Sequence, residues 1–364
     1  MLCTHPAVYA VGDTYHIMVP VDEPSLMWVE IGENRYYDES NGILRSACRV
    51  HRMVVPMAEL DRCGGYTICD EVLIERLPYF SRTQPVKRYD YRFRPVPTEG
   101  AVRAYHIADA HNQVDGPVAA AKNYGEMDFL ILNGDLPNHS GSAENFDDVY
   151  RIASQITGGE IPVVFARGNH DMRGNCAEEF ANFTPNHNGR TYYTVRIGNL
   201  WAVILDCGED KPDEHEAYGH TICCHAFRQR QTEYLKELIR NAQQEYDAPG
   251  ITHKLVICHS PFTYRQPEPF DIEEEIYTQW AQLLKEYVKP DVMICGHLHT
   301  CQVSEPGGKL DDRGQPCTVV VGADPDRGCF KACGFTFSDE GITVEFTDSD
   351  NNTHEKYLIQ EKET

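Results

Sequence analysis

The residues of this chain best suited to do chemistry sit where apolar runs stop. "VRAYHI" (102–107) leads into Asp109-Ala110-His111, "DFLILN" (128–133) into Gly134-Asp135, and "IPVVFA" (161–166) into Gly168-Asn169-His170-Asp171. "KLVIC" (254–258) is followed by His259, and "DVMIC" (291–295) by Gly296-His297-Leu298-His299. Carboxylate oxygen, amide oxygen and imidazole nitrogen are the donors that hard to borderline divalent metals take, with no thiolate needed. Asp109/His111 and His297/His299 have i, i+2 spacing, which in an extended segment turns both side chains the same way. The glycines before Asp135, Asn169 and His297 permit sharp turns and close backbone approach. Taken singly, an Asp-x-His is usually a surface accident and a Gly-Asp an ordinary turn. Five such elements in order, all at the ends of apolar runs, point to a metal site.

The elements that must position these groups read as a layered α/β domain. Largely apolar runs, with "LWAVIL" (200–205) as a sixth, are expected of strands covered on both faces. Between them lie helical patterns. "AENFDDVYRIASQI" (143–156) puts Phe146, Val149, Tyr150, Ala153 and Ile156 on one face; "RQTEYLKELIRNAQQ" (230–244) and "EEIYTQWAQLLKEYV" (274–288) behave likewise. In open α/β sheets ligands bind beyond the carboxyl ends of the strands, so residues a hundred positions apart can meet at one rim. The first ninety-odd residues read differently. "TYHIMVPV" (14–21), "SLMWVEIG" (25–32), "CRVHRMVV" (48–55), "EVLIERLPY" (71–79) and "KRYDYRFRPV" (87–96) are closely spaced strand-like runs. The expectation is a small all-β sandwich domain over residues 1–95, a linker at "RPVPTEG" (94–100), and the α/β domain over 96–364, ending in strand-like runs at 317–322 and 341–347.

Composition limits the partners. Lys plus Arg is 33 against 56 Asp plus Glu, a formal charge of −23. That field repels nucleic acid and anionic membrane surfaces, so an anionic substrate needs strong local positive charge, which bound cations can supply. No apolar run is long enough to span a bilayer. The N-terminal stretch lacks the pattern of a signal peptide, and a cytoplasmic location is the expectation. The 14 cysteines are scattered, several within apolar strands, as expected of reduced thiols acting as small hydrophobes.

The set Asp-x-His, Gly-Asp, Gly-Asn-His-Asp, a later His and Gly-His-x-His resembles the calcineurin-like metallophosphoesterase superfamily, over roughly residues 102–300. The front sandwich also resembles, more loosely, the fibronectin-like N-terminal domain of purple acid phosphatases and their bacterial relatives. The first resemblance implies a layered αββα sandwich and two divalent ions (Mn, Fe or Zn). Asp135 would bridge them, with Asp109, His111 and His299 completing one site and Asn169, His259 and His297 the other. It further implies hydrolysis of small phosphate mono- or diesters by water activated between the ions. His170 would serve as general acid or phosphate-binding residue, beside Asn169 on the substrate side. Asp171 is expected to accept a bond from the second ring nitrogen of His170, and Arg173 to hold phosphate oxygens.

Departures from the family pattern narrow the expectation. "GDLPNHSG" (134–141) lacks the Asp-Arg-Gly of protein Ser/Thr phosphatases, and Asn138 stands where the purple enzymes place a tyrosinate. The segment from Cys207 to His225 reads as a lid; its His and Cys residues match no common zinc spacing. A nuclease is disfavoured by the acidic balance and by the lack of a basic aromatic stripe. A noncatalytic scaffold is disfavoured because every expected ligand and His170 are present.

Overall fold

In the strand Leu200–Leu205 every residue is buried, yet neighbours face different surroundings. Ala202 and Ile204 join one apolar core, while Trp201, Val203 and Leu205 join a second. The same alternation runs through His253–Cys258, Val292–Cys295 and Thr318–Asp324. A sheet with two dry faces must be covered on both. That requirement generates the layers seen in the computed structural model, which describes residues 2–360.

The large sheet runs in the order Tyr193–Ile197, Leu200–Leu205, His253–Cys258, Val292–Cys295, Thr318–Asp324, Lys331–Ser338, Val102–Ile107, Phe129–Asn133, Pro162–Ala166, Ala7–Val11, Thr14–Pro20 and Val50–Pro56. Its halves join through a short antiparallel pairing, Ala323 with Ala332 and Asp324 with Lys331, and share one inner core. Asn133 ties them: its Nδ2 donates to the carbonyls of Cys258 (3.3 Å) and Ile294 (3.1 Å). All three residues lie at or next to the ends of parallel strands, so the carboxyl ends of both halves share one rim. Helices Cys224–Arg240 and Glu274–Leu283 cover the outer face of one half through Leu235, Leu238, Trp280 and Ala281. Helices Asp115–Tyr124 and Asp147–Thr157 cover the other half, giving the αββα order.

Some elements differ from expectation. The helix expected over 230–244 begins at Cys224, and the one expected over 143–156 opens with a 3₁₀ turn, Ala143–Phe146. The helix over 274–288 widens into a π turn at Leu284–Val288. The helix Asp115–Tyr124 has no counterpart among the expected helices; its Pro117 lies in the first turn, where proline loses no hydrogen bond.

The N-terminal region is rich in strands, in two sets. Ser25–Ile31, Asn34–Tyr37, Gly65–Glu75, Arg82–Thr83 and Lys87–Arg92 form a separate five-stranded sheet. Met27, Val29, Ile31 and Ile68 on it share a core with Ile17, Val19 and Met53 of the large sheet. The other layer of this sandwich is thus the edge of the large sheet itself. Ala7–Val11 pairs in parallel with Pro162–Ala166, Val8 opposite Pro162 and Tyr9 opposite Val163. Hydrogen bonding therefore crosses the expected boundary at residue 95. None of the fourteen cysteines is in a disulfide, and no helix among the described residues is long and apolar enough to cross a membrane.

Candidate metal centre

At the common rim the strands end in tight turns. Asp109, His111, Asp135, His297 and His299 all have positive φ, between 45° and 69°. For non-glycine residues this conformation carries strain, which persists where the surroundings over-determine it. The turns are also close: a Cβ on Gly168 would lie 2.2 Å from Asp135 Oδ1, and one on Gly296 2.7 Å from Asp109 Oδ2. Gly168→Ala should therefore displace the Asp135 carboxylate. The expected result is metal affinity lowered by roughly 10- to 100-fold, as when a ligand loses its support, measured by metal titration of the purified variant.

One oxygen of each carboxylate is fixed by backbone. The His297 N–H donates to Asp109 Oδ2 and the His170 N–H to Asp135 Oδ1, both at 2.8 Å. The other oxygens face the imidazoles. Asp109 Oδ1 lies 3.4 Å from His299 Nε2 and 3.6 Å from His259 Nε2; Asp135 Oδ2 lies 3.2 Å from His259 Nε2. His259 Nδ1 is 2.7 Å from the Asn133 carbonyl, which can only accept, so Nδ1 carries the hydrogen and Nε2 is turned to the carboxylates. His111 Nε2 approaches His299 Nε2 at 3.2 Å, and His297 Nδ1 approaches Asn169 Oδ1 at 3.0 Å.

All seven expected ligands thus converge, Asn169 through its contact with His297 and the other six in two groups. Asp109, His111 and His299 bring ligand atoms within 4.8 Å of one another, as do Asp135, His259 and His297; Asp135 also lies with His111 and His170. The donor set fits divalent cations. Asp109 Oδ1, His111 Nδ1 and His259 Nε2 are buried without an aligned hydrogen-bond partner, a costly state that coordination relieves. Electrostatics agree. Burial opposes charge on Asp109 and Asp135, yet the neighbouring imidazoles hold both below the usual carboxylate range. Burial likewise opposes charge on His259, but the Asp135 and Asp109 carboxylates push its pKa up to about 10. Burial lowers His111 and His297 to about 4, leaving neutral imidazoles of the kind metals bind.

Two expectations are corrected. Asp171 does not bond His170. Its Oδ2 accepts the Gly168 N–H at 2.6 Å and the Asp135 N–H at 3.2 Å, bracing the turns that carry the ligands. The 3₁₀ turn His170–Met172 points the adjacent side chains apart, and His170 Nδ1 instead meets the Asn138 carbonyl at 2.8 Å. Burial and the Asp135 carboxylate raise the Asp171 pKa to about 8. Arg173 is also engaged elsewhere: it makes two 2.8 Å bonds to the buried Glu209 carboxylate and lies 3.4 Å from Asp210. It anchors the 207–225 segment instead of pointing a free guanidinium at phosphate. That segment reaches the centre through Asp210, whose Oδ2 accepts from Asn169 Nδ2 at 3.3 Å. Asn133, Asn138 and Asp210 were missed as positioning residues; the Asn closing "LILN" was the one available signal.

The family model for calcineurin-like phosphoesterases matches residues 102–301, more than half of the chain and the whole span of the ligands. The chain belongs to the calcineurin-like phosphoesterase family. Among solved structures, this phosphoesterase is similar to purple acid phosphatase PPD1 from yellow lupin (Lupinus luteus) seeds, at 14% identity and TM-score 0.64, covering 98% of this chain and 74% of that one. It is similar to PhoD at 11% identity and TM-score 0.56, covering 99% and 92%. GAP50 of Plasmodium is similar at 16% identity and TM-score 0.50, over 73% and 90%. At these identities the likeness is one of fold, and with PPD1 and PhoD it extends over the N-terminal strands. No curated protein sequence matches significantly. With its family and its donor set, the phosphoesterase is a metal-dependent phosphoric ester hydrolase.

Proposed function

We propose that the phosphoesterase cleaves small phosphate mono- or diesters at a two-metal centre in which Asp135 is the shared ligand. The observation that carries this reading is the position of Asp135. Its carboxylate belongs to the group with His259 and His297 and also to the group with His111 and His170. Asp109, His111 and His299 would hold one ion and Asn169, His259 and His297 the other. When bound, the ions supply positive charge for the phosphate oxygens and acidify water. Two divalent ions against the carboxylates of Asp109 and Asp135 leave a net positive pocket within an acidic protein, which suits a phosphate dianion.

His170 acts on the open side. Its Nδ1 is committed to the Asn138 carbonyl, so Nε2 is the atom left to hold the ester or give a proton to the departing oxygen. Nε2 lies 3.9 Å from Asp135 Oδ2, and the side chain is 27% exposed, within reach of a ligand. Asn169 is a neutral ligand, so it adds no negative charge to the pocket.

The test is a panel of aryl monoester, aryl diester and small phosphorylated metabolites, run on protein stripped of metal and reloaded with Mn, Fe or Zn. Hydrolysis of at least one ester, dependent on added metal and saturating at about two ions per chain, is the expected result. A reloaded protein that binds fewer than one ion and turns over none of the esters would refute the two-metal reading.

A further inference from the structure

A second constellation of ligand-type side chains lies in the N-terminal sandwich and shares no residue with the centre above. Asp38, Cys48 and His51 bring a carboxylate oxygen, a sulfur and an imidazole nitrogen within 4.8 Å of one another. His51 Nδ1 lies 2.7 Å from Asp38 Oδ2 and 3.4 Å from Cys48 Sγ, and Sγ lies 3.6 Å from Oδ2. On a tetrahedral zinc, with bonds of about 2.0 Å to nitrogen and oxygen and about 2.3 Å to sulfur, ligand atoms sit roughly 3.3–3.5 Å apart. The observed triangle is close to one face of that tetrahedron, the nitrogen–oxygen edge alone being drawn in to hydrogen-bond length.

We infer that Asp38, Cys48 and His51 form a binding site for a zinc-type ion, separate from the phosphoesterase centre. Two of the ligands stand on the sandwich strands or directly beside them. His51 lies in the strand Val50–Pro56, opposite Val19, and Asp38 directly follows Asn34–Tyr37 with its N–H bonded to the Met27 carbonyl. Asp38 and His51 are buried, and Cys48 is partly exposed, leaving the cluster an approach from solvent. The second carboxylate oxygen of Asp38 accepts from Arg45 Nη1 at 3.2 Å, the kind of outer bond that orients a metal-binding carboxylate. Charge balances: thiolate and carboxylate together neutralise a divalent ion, so Arg45 faces no net positive charge. Mixed sulfur, nitrogen and oxygen donors suit zinc better than calcium or magnesium. Three protein ligands leave a fourth position for water. The ion would clasp the exposed hairpin Glu39–Ser40/Ile43–Leu44 against the sheet.

The catalytic ligands include no sulfur, which gives the test its specificity. Full-length protein is stripped by chelator and reloaded with Co(II) alone. Wild type should show a near-ultraviolet thiolate-to-cobalt charge-transfer band. Cys48→Ser should lose that band, bind one cobalt fewer per chain, and keep its phosphoesterase turnover. Wild type without the band, or a band that survives Cys48→Ser, overturns the assignment and leaves the trio a hydrogen-bonded histidine–carboxylate pair. Should the variant not fold, alkylation of Cys48 in the wild-type chain decides, followed by peptide mass. Zn(II) should slow it severalfold, and an unchanged rate overturns the site.

Discussion

Asp135→Asn should all but abolish phosphoesterase turnover, by loosening both groups of ligands at once. The substitution keeps the shape of the side chain and removes its charge. Asp135 is 2% exposed, and its Oδ2 faces His259 at 3.2 Å while Oδ1 holds the His170 N–H. Removing one partner from a buried charge cluster costs about 3–5 kcal/mol, equivalent to roughly 10²–10⁴-fold in metal affinity. Because the carboxylate lies with His259 and His297 and also beside His111, the loss should fall on both ions. His299→Ala, at the exposed end of one group, should weaken one ion and spare the other. Metal titration followed by stoichiometry separates the two patterns. An Asp135→Asn protein that keeps two ions at wild-type affinity would refute the shared-ligand role.

His170→Ala should lower kcat by roughly 10²–10⁴-fold with metal content unchanged, the range for loss of a positioned acid or base. His170 is held through its Nδ1 by the Asn138 carbonyl and, though close to His111 and Asp135, is not one of the seven assigned ligands, so the ions should stay without it. The leaving group discriminates between its two possible duties. If Nε2 protonates the departing oxygen, alkyl esters should suffer far more than nitrophenyl esters, whose oxygen leaves without help. An equal loss for both would assign His170 to holding the phosphate. Unchanged turnover on either ester would remove it from the mechanism.

The contrast between Asp135 and Arg173 shows how much of the site could be read from the chain. Ligand types at the ends of apolar runs are local facts, and strand geometry carries them to a common rim wherever the helices run. The fate of Arg173 depends on Glu209 and Asp210, whose positions follow from the path of a long connecting segment that no periodicity describes. The partner of His170 is a backbone carbonyl, and every residue offers one, so sequence carries no mark of it. Adjacency in sequence suggests a bond between Asp171 and His170, but the turn His170–Met172 separates the two side chains. The layered core was legible from two-sided apolar strands. The strand Ala7–Val11 was not, since "AVYAV" is five residues with no polar alternation to set it apart.

That short strand has a consequence for how the chain comes to be folded. Its neighbour on one side is Thr14–Pro20, available at once, but on the other it is Pro162–Ala166. During synthesis Ala7–Val11 must wait, one edge bare, until some hundred and fifty further residues have emerged. Contacts so distant along the chain are slow to form, and unpaired edges invite association in the interval. Ala7–Val11 leaves the ribosome well before Pro162–Ala166, the strand that encloses it and leads into Asn169 and His170.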